Sequence, residues 1–332
     1  MKILLVCMQH DYGDPKRGLS YEYCNFYLGL KDMGHEVIIF DYMAELKRVG
    51  KVAMNKKLVE ISRAACPHLA IFSLYTDQLE PEAVNEVRHH TKTFCFFHDD
   101  TWRVDYSRFW ARHFDWFSTP DIYGEAKYAA IGLNNAIYFP FGFNERLYRK
   151  MGVPIRYDVS FVGGWHPYRE WLVKRLVRAG VKVKVAGYRW PGGMLTHEEM
   201  VELFNASKIN LNLSNSASWD ARYLLASPRG LVNRLRSKKV VEQLKARHFE
   251  INGCGAFQLS YFVEGLEKCF EIGSEIAIYT DPDDLVEKVR FYLDNGDARA
   301  TIADVGYHRA LDQHTYSQRF RRIFEQIGLT NV

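Results

Sequence analysis

The chain has 332 residues, enough for two domains that each bury an apolar core, and its net charge of +4 argues neither for nor against a nucleic-acid partner. No apolar run approaches the roughly 20 residues that span a bilayer, and the apolar start Met1–Cys7 is too short for a signal peptide. The six cysteines show neither CxxC pairs nor zinc-ligand spacing, and most lie in apolar runs. We therefore expect free thiols in a reducing compartment, the cytoplasm.

The first half of the chain alternates short apolar runs, typical of buried parallel strands, with stretches of helical periodicity. The predicted strands are Lys2–Cys7, His35–Phe40, Leu69–Ser73 and Thr93–His98, with weaker ones near 116–118 and 136–139. The predicted helices are Ser20–Met33, Asn55–Cys66 and Pro81–His90. This alternation indicates an open parallel sheet with helices on both faces.

The same alternation starts again near Pro154. The predicted strands of the second half are Tyr157–Val162, Val181–Ala186, Ile209–Leu213, Ala256–Ser260 and Ile276–Tyr279. The predicted helices are Tyr168–Ala179, 242–252 and Asp284–Asn295, and the residues between 213 and 242 are predicted to be irregular.

Two such series predict an α/β protein with two Rossmann-like domains whose parallel sheets face each other across a cleft. We place the N-terminal domain at residues 1–152, the C-terminal domain at 153–312 and a C-terminal helix within 313–332. The amphipathic helix predicted for His314–Gly328 could pack on its own domain or cross back to the first. Ligands of such sheets bind beyond the carboxyl ends of the strands, so the cleft is the expected site.

A basic segment precedes the fourth predicted strand of the second half. Between Ala221 and Arg247 it carries eight cations against the single acid Glu242. The cations are Arg222, Arg229, Arg234, Arg236, Lys238, Lys239, Lys245 and Arg247. Such a surplus suits a phosphorylated ligand, because arginine offers phosphate a bidentate fork and lysine a point charge; a solvated basic face is the alternative. Gly253 and Gly255 would let the backbone approach a ligand or a neighbouring strand, with a helix-ending glycine as the alternative.

Several segments of the second half resemble the CgeB-like glycosyltransferases, relatives of spore maturation proteins within the GT-B group of retaining, GT4-like (group 1) enzymes. These segments are Asp158–Gly163, Ile209–Ser214, Lys245–Leu259, Val263–Glu267, Tyr279–Leu285 and His314–Phe320. The first half resembles the family only in general plan. The resemblance implies a nucleotide-diphosphate sugar donor held by the second domain and an acceptor held by the first.

The resemblance also implies roles for particular residues. Lys245 and Arg247 would contact the donor diphosphate, and Glu250 would take the ribose hydroxyls. The backbone N–H groups of Gly163 and Gly164 would face the phosphates or the developing leaving group.

Two further residues of the second half are less clearly assigned. Arg169 ends the segment Trp165–Arg169, which could stack a base or sugar and place Arg169 near phosphate, or could pack on its own domain. The GT4 pattern pairs glutamates eight positions apart, and Glu242 stands eight before Glu250. The resemblance aligns better through Arg247–Glu250, so the role of Glu242 is left open.

Three titratable side chains, His98, Asp99 and Asp100, come at the end of the strand predicted for Thr93–His98. At the carboxyl end of a strand, His98 could hydrogen-bond the donor sugar or take the proton of the acceptor hydroxyl. Asp99 and Asp100 could orient His98 or hold the sugar. The alternative is a turn in which Asp100 is the N-cap of a helix over 101–108.

The loop Asp11, Tyr12, Gly13 follows the first strand, where a GT-B acceptor loop is expected, although a plain surface loop is equally compatible. The dense aromatic residues between 102 and 117 could line a sugar site, but their near-helical spacing favours core packing.

No metal or cofactor is expected, because the histidines form no ligand set and Asp281 or Asp283 is better explained as a helix N-cap. A dinucleotide-dependent oxidoreductase does not fit, since no G-x-G-x-x-G follows the first strand. The expected partners are a nucleotide-sugar donor and a glycan, lipid-linked, protein or small-molecule acceptor, but not nucleic acid. The prediction is a retaining, metal-independent glycosyltransferase; the alternative is a non-catalytic two-lobed nucleotide- or glycan-binding protein.

Overall fold

The computed structural model describes residues 1–214, 218–226, 228–237, 239 and 241–329. Lys238 of the basic segment lies outside these residues. The chain forms two compact units: Met1–Pro140 joined by the segment that begins at Tyr316, and Phe141–Thr315. Within the described residues, no helix has the length and apolar character needed to cross a bilayer.

The first unit is a Rossmann-like parallel sheet in the order β2-β1-β3-β4-β5-β6. Its strands are β1 Lys2–Cys7, β2 Glu36–Asp41, β3 Leu69–Ser73, β4 Lys92–Phe96, β5 Trp116–Thr119 and β6 Ala136–Tyr138. Its helices are α1 Leu28–Asp32, preceded by a π-helical turn Tyr23–Tyr27, then α2 Tyr42–Val49, α3 Lys51–Ala65, α4 Pro81–Arg88, α5 Val104–Ala111 and α6 Gly124–Ala129. The chain reverses its direction of strand addition between β1 and β3, so the switch point of this sheet lies there.

The second unit is a Rossmann-like parallel sheet in the order β11-β10-β9-β7-β8. Its strands are β7 Tyr157–Val162, β8 Val183–Ala186, β9 Ser207–Asn212, β10 Gln258–Tyr261 and β11 Ala277–Tyr279. Its helices are α7 Pro167–Arg178, α8 His197–Asn205, α9 Ala221–Ala226, α10 Pro228–Arg236, α11 Arg247–Gly253, α12 Leu266–Cys269, α13 Pro282–Asp294 and α14 Gly296–Gln313. The switch point of this sheet lies between β7 and β9.

Residues 141–152, which the sequence analysis assigned to the first domain, are part of the second unit. Phe143 pairs with Thr315 in an isolated β-bridge, and the Tyr148 hydroxyl donates to Glu250. These contacts are made to residues distant in sequence, so no local pattern marks the boundary.

The last helix, α15 Tyr316–Gln326, packs on the first unit. The rings of Tyr316 and Phe320 lie 5.1 and 5.4 Å from the ring of Phe26, and the Lys92 ammonium donates to the Ile327 carbonyl. The amphipathic pattern of this segment is therefore satisfied by the first sheet's helical layer.

Helix α14 has no counterpart among the sequence predictions. Its buried positions include the small residues Gly306 and Ala310, and a Cβ at Gly306 would lie 2.1 Å from the Glu275 carbonyl. A helix that packs through small residues at close range has little apolar periodicity, so its sequence does not predict it. Helices α9 and α10 likewise replace part of the stretch predicted to be irregular.

The aromatic stretch 102–117 is mostly core. Trp110, Phe114 and Phe117 are buried in the main apolar cluster of the first unit, while Phe109 is half exposed. The packing alternative therefore describes most of this segment.

Candidate functional site

Arg169 joins two loops at the switch point of the second sheet. It lies in the first turn of α7, whose N-cap residue His166 accepts a hydrogen bond from a main-chain N–H. The Arg169 guanidinium donates from Nη2 to the Leu213 carbonyl at 2.8 Å and from Nη1 to the Gly164 carbonyl at 2.9 Å. The loop after β7 and the loop after β9 are thereby tied together.

The charge of Arg169 is not matched by a contacting carboxylate among the described residues. Burial, assisted by the positive charge of Arg247, lowers the pKa of Arg169 to about 10, so the group still carries its charge at neutral pH. Its hydrogen-bond acceptors are main-chain carbonyls, which are neutral dipoles. A partly buried cation whose hydrogen bonds go to neutral dipoles favours an incoming anion, because the anion supplies a contacting counter-charge.

The two glycines after β7 differ in what they offer. The Gly163 N–H donates to the Ala186 carbonyl at 3.0 Å, so it is already used inside the sheet and cannot face a phosphate. A Cβ at Gly163 would lie 2.8 Å from the Phe161 ring, whereas one at Gly164 would meet nothing within 4 Å. Of the pair, only Gly164 keeps the predicted phosphate role as an open prediction.

Helix α11 brings Arg247 and Glu250 together. Glu250 is buried, and its Oε2 lies 2.7 Å from Arg247 Nη1, while its Oε1 accepts from the Tyr148 hydroxyl at 2.8 Å. Both carboxylate oxygens are therefore engaged. A ribose hydroxyl would have to share them with Tyr148 and Arg247.

The loop before α11 is pinned by His248. The Lys245 main-chain N–H and carbonyl lie 3.1 and 3.0 Å from His248 Nδ1, which leaves the Lys245 side chain outside this contact. His248 is fully buried, and burial lowers its pKa to about 4, so it is neutral at physiological pH. Its role is to hold the loop that carries Lys245.

Glu242 is placed near the carboxyl end of β10. Burial and then the negative charge of Glu242 raise the pKa of Tyr261, the last residue of that strand. The same charge acts on Arg169. The structure thus puts this residue, whose role the sequence left open, at the same edge of the sheet as Arg169.

Gly253 and Gly255 have packing reasons to be glycine. A Cβ at Gly253 would lie 2.4 Å from the Phe143 ring, and one at Gly255 would lie 2.2 Å from Lys150 Cε. Gly255 also has a φ of +62°. These observations support close approach to neighbouring chain segments, and the predicted contact with a donor stays a prediction.

In the first unit, three polar side chains meet at the carboxyl edge of the sheet. His98 Nε2 lies 2.8 Å from Glu22 Oε1, and the Ser73 hydroxyl lies 2.7 Å from the same oxygen and 2.9 Å from His98 Nε2. Ser73 ends β3, His98 follows β4, and Glu22 lies just before the π-helical turn. We call these residues the Glu22–Ser73–His98 cluster.

Glu22 is buried and charged. Burial by itself would raise the pKa of its carboxyl, but the charge and hydrogen bond of His98 and the hydroxyl of Ser73 hold it below its usual value. Sequence reasoning found His98 and missed its partners. Ser73 was predictable as a site residue, because it ends β3 beside the switch point of the sheet. Glu22 lies in a helix, where its position in the sequence does not indicate a site.

The two aspartates after His98 behave differently. Asp100 is buried, accepts a hydrogen bond from the Tyr128 hydroxyl and has a pKa raised by burial. The carbonyl of Asp99 accepts from the main chain of Arg103 at 3.0 Å, and Asp99 stays partly exposed. The alternative of Asp100 as an N-cap is wrong, since α5 begins at Val104 and no side chain caps it.

The loop after β1 is ordered by local contacts. Asp11 Oδ2 lies 2.9 Å from Arg17 Nε, and the Arg17 guanidinium lies 4.4 Å from the centre of the Tyr12 ring. Gly13 has a φ of +68°, and a Cβ there would lie 2.1 Å from the Met43 side chain. Tyr12 is half exposed and presents its ring at this edge of the first unit.

No group of three or more His, Cys, Asp or Glu side chains in the described part of the chain could hold a metal ion. Asp281 instead caps α13, accepting from the main-chain N–H groups of Asp283 and Asp284.

Known proteins are similar to part of this sequence and to the fold of the chain. A family model described as glycosyl transferase-like matches residues 169–325. The spore protein CgeB of Bacillus subtilis is 26% identical over 209 residues, which cover 58% of this chain and 61% of CgeB. The chain thus aligns with less than two thirds of that relative.

Among solved structures, the HepE protein of Anabaena in complex with UDP and glucose has a TM-score of 0.64 at 13% identity, with 99% of each chain covered. A glycosyltransferase of Rickettsia africae gives 0.64 at 11% identity, covering 100% of this chain and 99% of the other. Sucrose-phosphate synthase of Thermosynechococcus elongatus gives 0.62 at 12% identity, with 99% of each chain covered. Together these findings show sequence similarity to CgeB and to the glycosyl transferase-like family model over part of the chain, and a GT-B fold for the whole.

Proposed function

We propose that the protein is a glycosyltransferase that takes a sugar from a nucleotide-diphosphate donor bound at the carboxyl edge of the second unit. The observation that carries this proposal is Arg169, a charged guanidinium at the β7/β9 switch point whose hydrogen bonds go to main-chain carbonyls. The structure of HepE with UDP and glucose, a protein of the same fold, supports a donor of this class.

Sugar transfer breaks the bond between the anomeric carbon and the diphosphate, so negative charge grows on the leaving diphosphate. Preorganised cations stabilise that charge more in the transition state than in the ground state. Arg169 and Lys245 supply cations here, and the field of Arg247 reaches Arg169. In this proposal no metal or cofactor is required, because side chains neutralise the leaving group.

The buried Glu250 carboxylate is proposed to receive the ribose of the donor. Its contacts to Tyr148 and Arg247 hold it in one position. A ribose hydroxyl that joins this network donates to an oriented carboxylate, which is a charge-assisted hydrogen bond.

The Glu22–Ser73–His98 cluster is proposed to act on hydroxyl groups of the sugar or the acceptor. The Glu22 carboxylate, 2.8 Å from His98 Nε2, orients the imidazole towards such a hydroxyl. Retention of configuration is part of the proposal and follows the family resemblance. The acceptor is proposed to be bound by the first unit, through the loop of Asp11, Tyr12 and Gly13.

The test is nucleotide binding followed by turnover. UDP, GDP, ADP, CMP, TDP and NAD are titrated calorimetrically against wild type, Lys245→Gln and Arg169→Gln, with Arg178→Gln, an exposed arginine of the same helix, as control. One nucleoside diphosphate should bind, and each of the two site variants should lose about tenfold to a hundredfold in affinity, since charge-assisted hydrogen bonds contribute ~1.5–3 kcal/mol.

The Lys245→Gln variant should fold like wild type, because the contacts of Lys245 to His248 are made by its main chain. Binding of NAD alone, or no nucleotide binding by folded wild type, would contradict the proposal. Tight nucleotide binding without release of sugar from any matching donor would leave a non-catalytic binding protein as the better account.

A further inference from the structure

Helix α10 exposes its apolar face. Leu231, Val232 and Leu235 are 45%, 47% and 71% exposed, and their spacing places them on one side of the helix. On the opposite side, Gly230 is buried, and a Cβ there would lie 2.9 Å from the Tyr223 ring. The helix is thus anchored through a glycine while its aliphatic side chains point into solvent, the reverse of an ordinary amphipathic surface helix.

Apolar exposure continues beyond this helix. Leu225 of α9 is 88% exposed and Trp219, just before α9, is 65% exposed. Scattered single apolar residues on a surface are ordinary, but several adjacent ones on neighbouring short helices mark a binding surface.

Two arginines flank the aliphatic stripe. At 100° per residue, Arg229 and Arg236 fall beside Val232, at one edge of the exposed arc. Both are exposed, and neither forms an ion pair with another described residue. We call Leu225, Arg229, Leu231, Val232, Leu235 and Arg236 the α9–α10 surface.

We propose that the α9–α10 surface binds the anionic face of a lipid bilayer. Aliphatic side chains on a convex helix can enter the boundary between headgroups and acyl chains while the flanking guanidinium groups stay at the level of lipid phosphates. Each basic residue near such a surface adds attraction that an uncharged apolar patch lacks.

Charge decides against a second copy of this chain as the occupant. Symmetric pairing of the α9–α10 surface would bring Arg229 and Arg236 of each copy towards those of the other, and like charges across an interface are unfavourable.

Membrane binding through the α9–α10 surface is independent of the sugar-transfer proposal. It would hold the protein next to membrane-borne substrates whatever reaction it performs.

The experiment is co-sedimentation of the full chain with vesicles of phosphatidylcholine alone and with vesicles of phosphatidylcholine and phosphatidylglycerol in equal parts. Wild type should sediment with the anionic vesicles and not with the neutral ones. The double variant Arg229→Gln, Arg236→Gln should bind at least about tenfold more weakly, and the double variant Leu231→Ser, Leu235→Ser should lose binding to a similar degree. All changed side chains are exposed, so folding should be retained.

The matched control is Val177→Ser, Arg178→Gln, an exposed aliphatic residue and an exposed arginine on α7, which should bind anionic vesicles like wild type. The proposal would be overturned if the control variant bound anionic vesicles as weakly as the surface variants do. It would also be overturned if neither surface variant bound anionic vesicles more weakly than wild type. So would a wild-type dimer in sedimentation velocity that the Leu231→Ser, Leu235→Ser variant dissociates. Binding to soluble polyglutamate as tight as to vesicles would show a partner of acidic polypeptide chemistry instead.

Discussion

The carboxyl edges of the two sheets have opposite electrostatic character. In the first unit, the Glu22–Ser73–His98 cluster is internally matched, because a carboxylate, a hydroxyl and an imidazole satisfy one another within 3 Å. In the second unit, Arg169 donates its hydrogen bonds to main-chain carbonyls, and no carboxylate of the described residues is in contact with it. A matched cluster suits neutral hydroxyl groups, while an unmatched cation suits a diphosphate, so one fold used twice offers two kinds of site.

The largest expected effect comes from removing the unmatched cation. Arg169→Gln should lower kcat/KM for the donor by about 10²–10³-fold, the range seen when one preorganised group that stabilises developing charge is lost. The measurement is release of sugar or nucleotide from the matching donor, with Arg178→Gln as the control. An Arg169→Gln enzyme with wild-type kcat/KM would show that the charge of Arg169 serves only to tie the two loops together.

Neutralising the acid of the matched cluster should have a smaller effect of a different kind. Glu22→Gln leaves His98 a neutral partner and should lower kcat by about tenfold to a hundredfold, towards the lower end of the range for general acid–base groups. Nucleotide affinity should stay unchanged, because the cluster belongs to the first unit.

The control for that experiment is Glu60→Gln, a largely exposed glutamate of α3. A Glu22→Gln variant that binds nucleotide as weakly as Arg169→Gln would erase the distinction between the two edges. The pH profile separates chemistry from structure: a purely structural Glu22 would change the amount of folded enzyme but not the pH at which kcat changes.

The free energy of unfolding should decrease at acidic pH because of a buried histidine in the second unit. Burial lowers the pKa of His248 from 6.5 to about 4, so the folded state binds its proton less readily than the unfolded state. The stability of the folded state is therefore complete above about pH 6.5 and falls as the pH drops towards 4, by about 3 kcal/mol for this residue.

His248→Gln should flatten that fall, measured as the change in unfolding temperature between neutral pH and pH 5. His166, whose pKa burial lowers to about 4 as well, leaves a residual slope in the variant. An unchanged slope would mean that His248 does not carry the acid sensitivity of the second unit.

The smallest effects concern the two glycines after β7. Gly163→Ala should cost ~1–3 kcal/mol in stability, because its Cβ would press on the Phe161 ring. Gly164→Ala should change stability by less than about 0.5 kcal/mol, since nothing lies within 4 Å of its Cβ. Thermal unfolding measures both, and equal losses would show that the loop after β7 is packed differently.

Much of the fold was predictable because strands are local. The strands β1, β3 and β7 have the predicted bounds. A strand buried on both faces, such as β1, is a nearly continuous apolar run whatever its neighbours are. Helix α15 was also predictable, because its apolar residues recur on one side of the helix. Helix α14 was not, because Gly306 and Ala310 make its contacts without apolar periodicity.

The candidate site divides in the same way. The sequence by itself determined the two α/β halves, the surplus of cations before β10 and the presence of His98 at a strand end, because these depend on composition and short spacing. Only the tertiary structure decided which cation is unmatched, that the Gly163 N–H is used within the sheet, and that Glu22 meets Ser73 and His98. Those outcomes depend on contacts between residues tens of positions apart, which parallel strands bring together only after the sheet has formed.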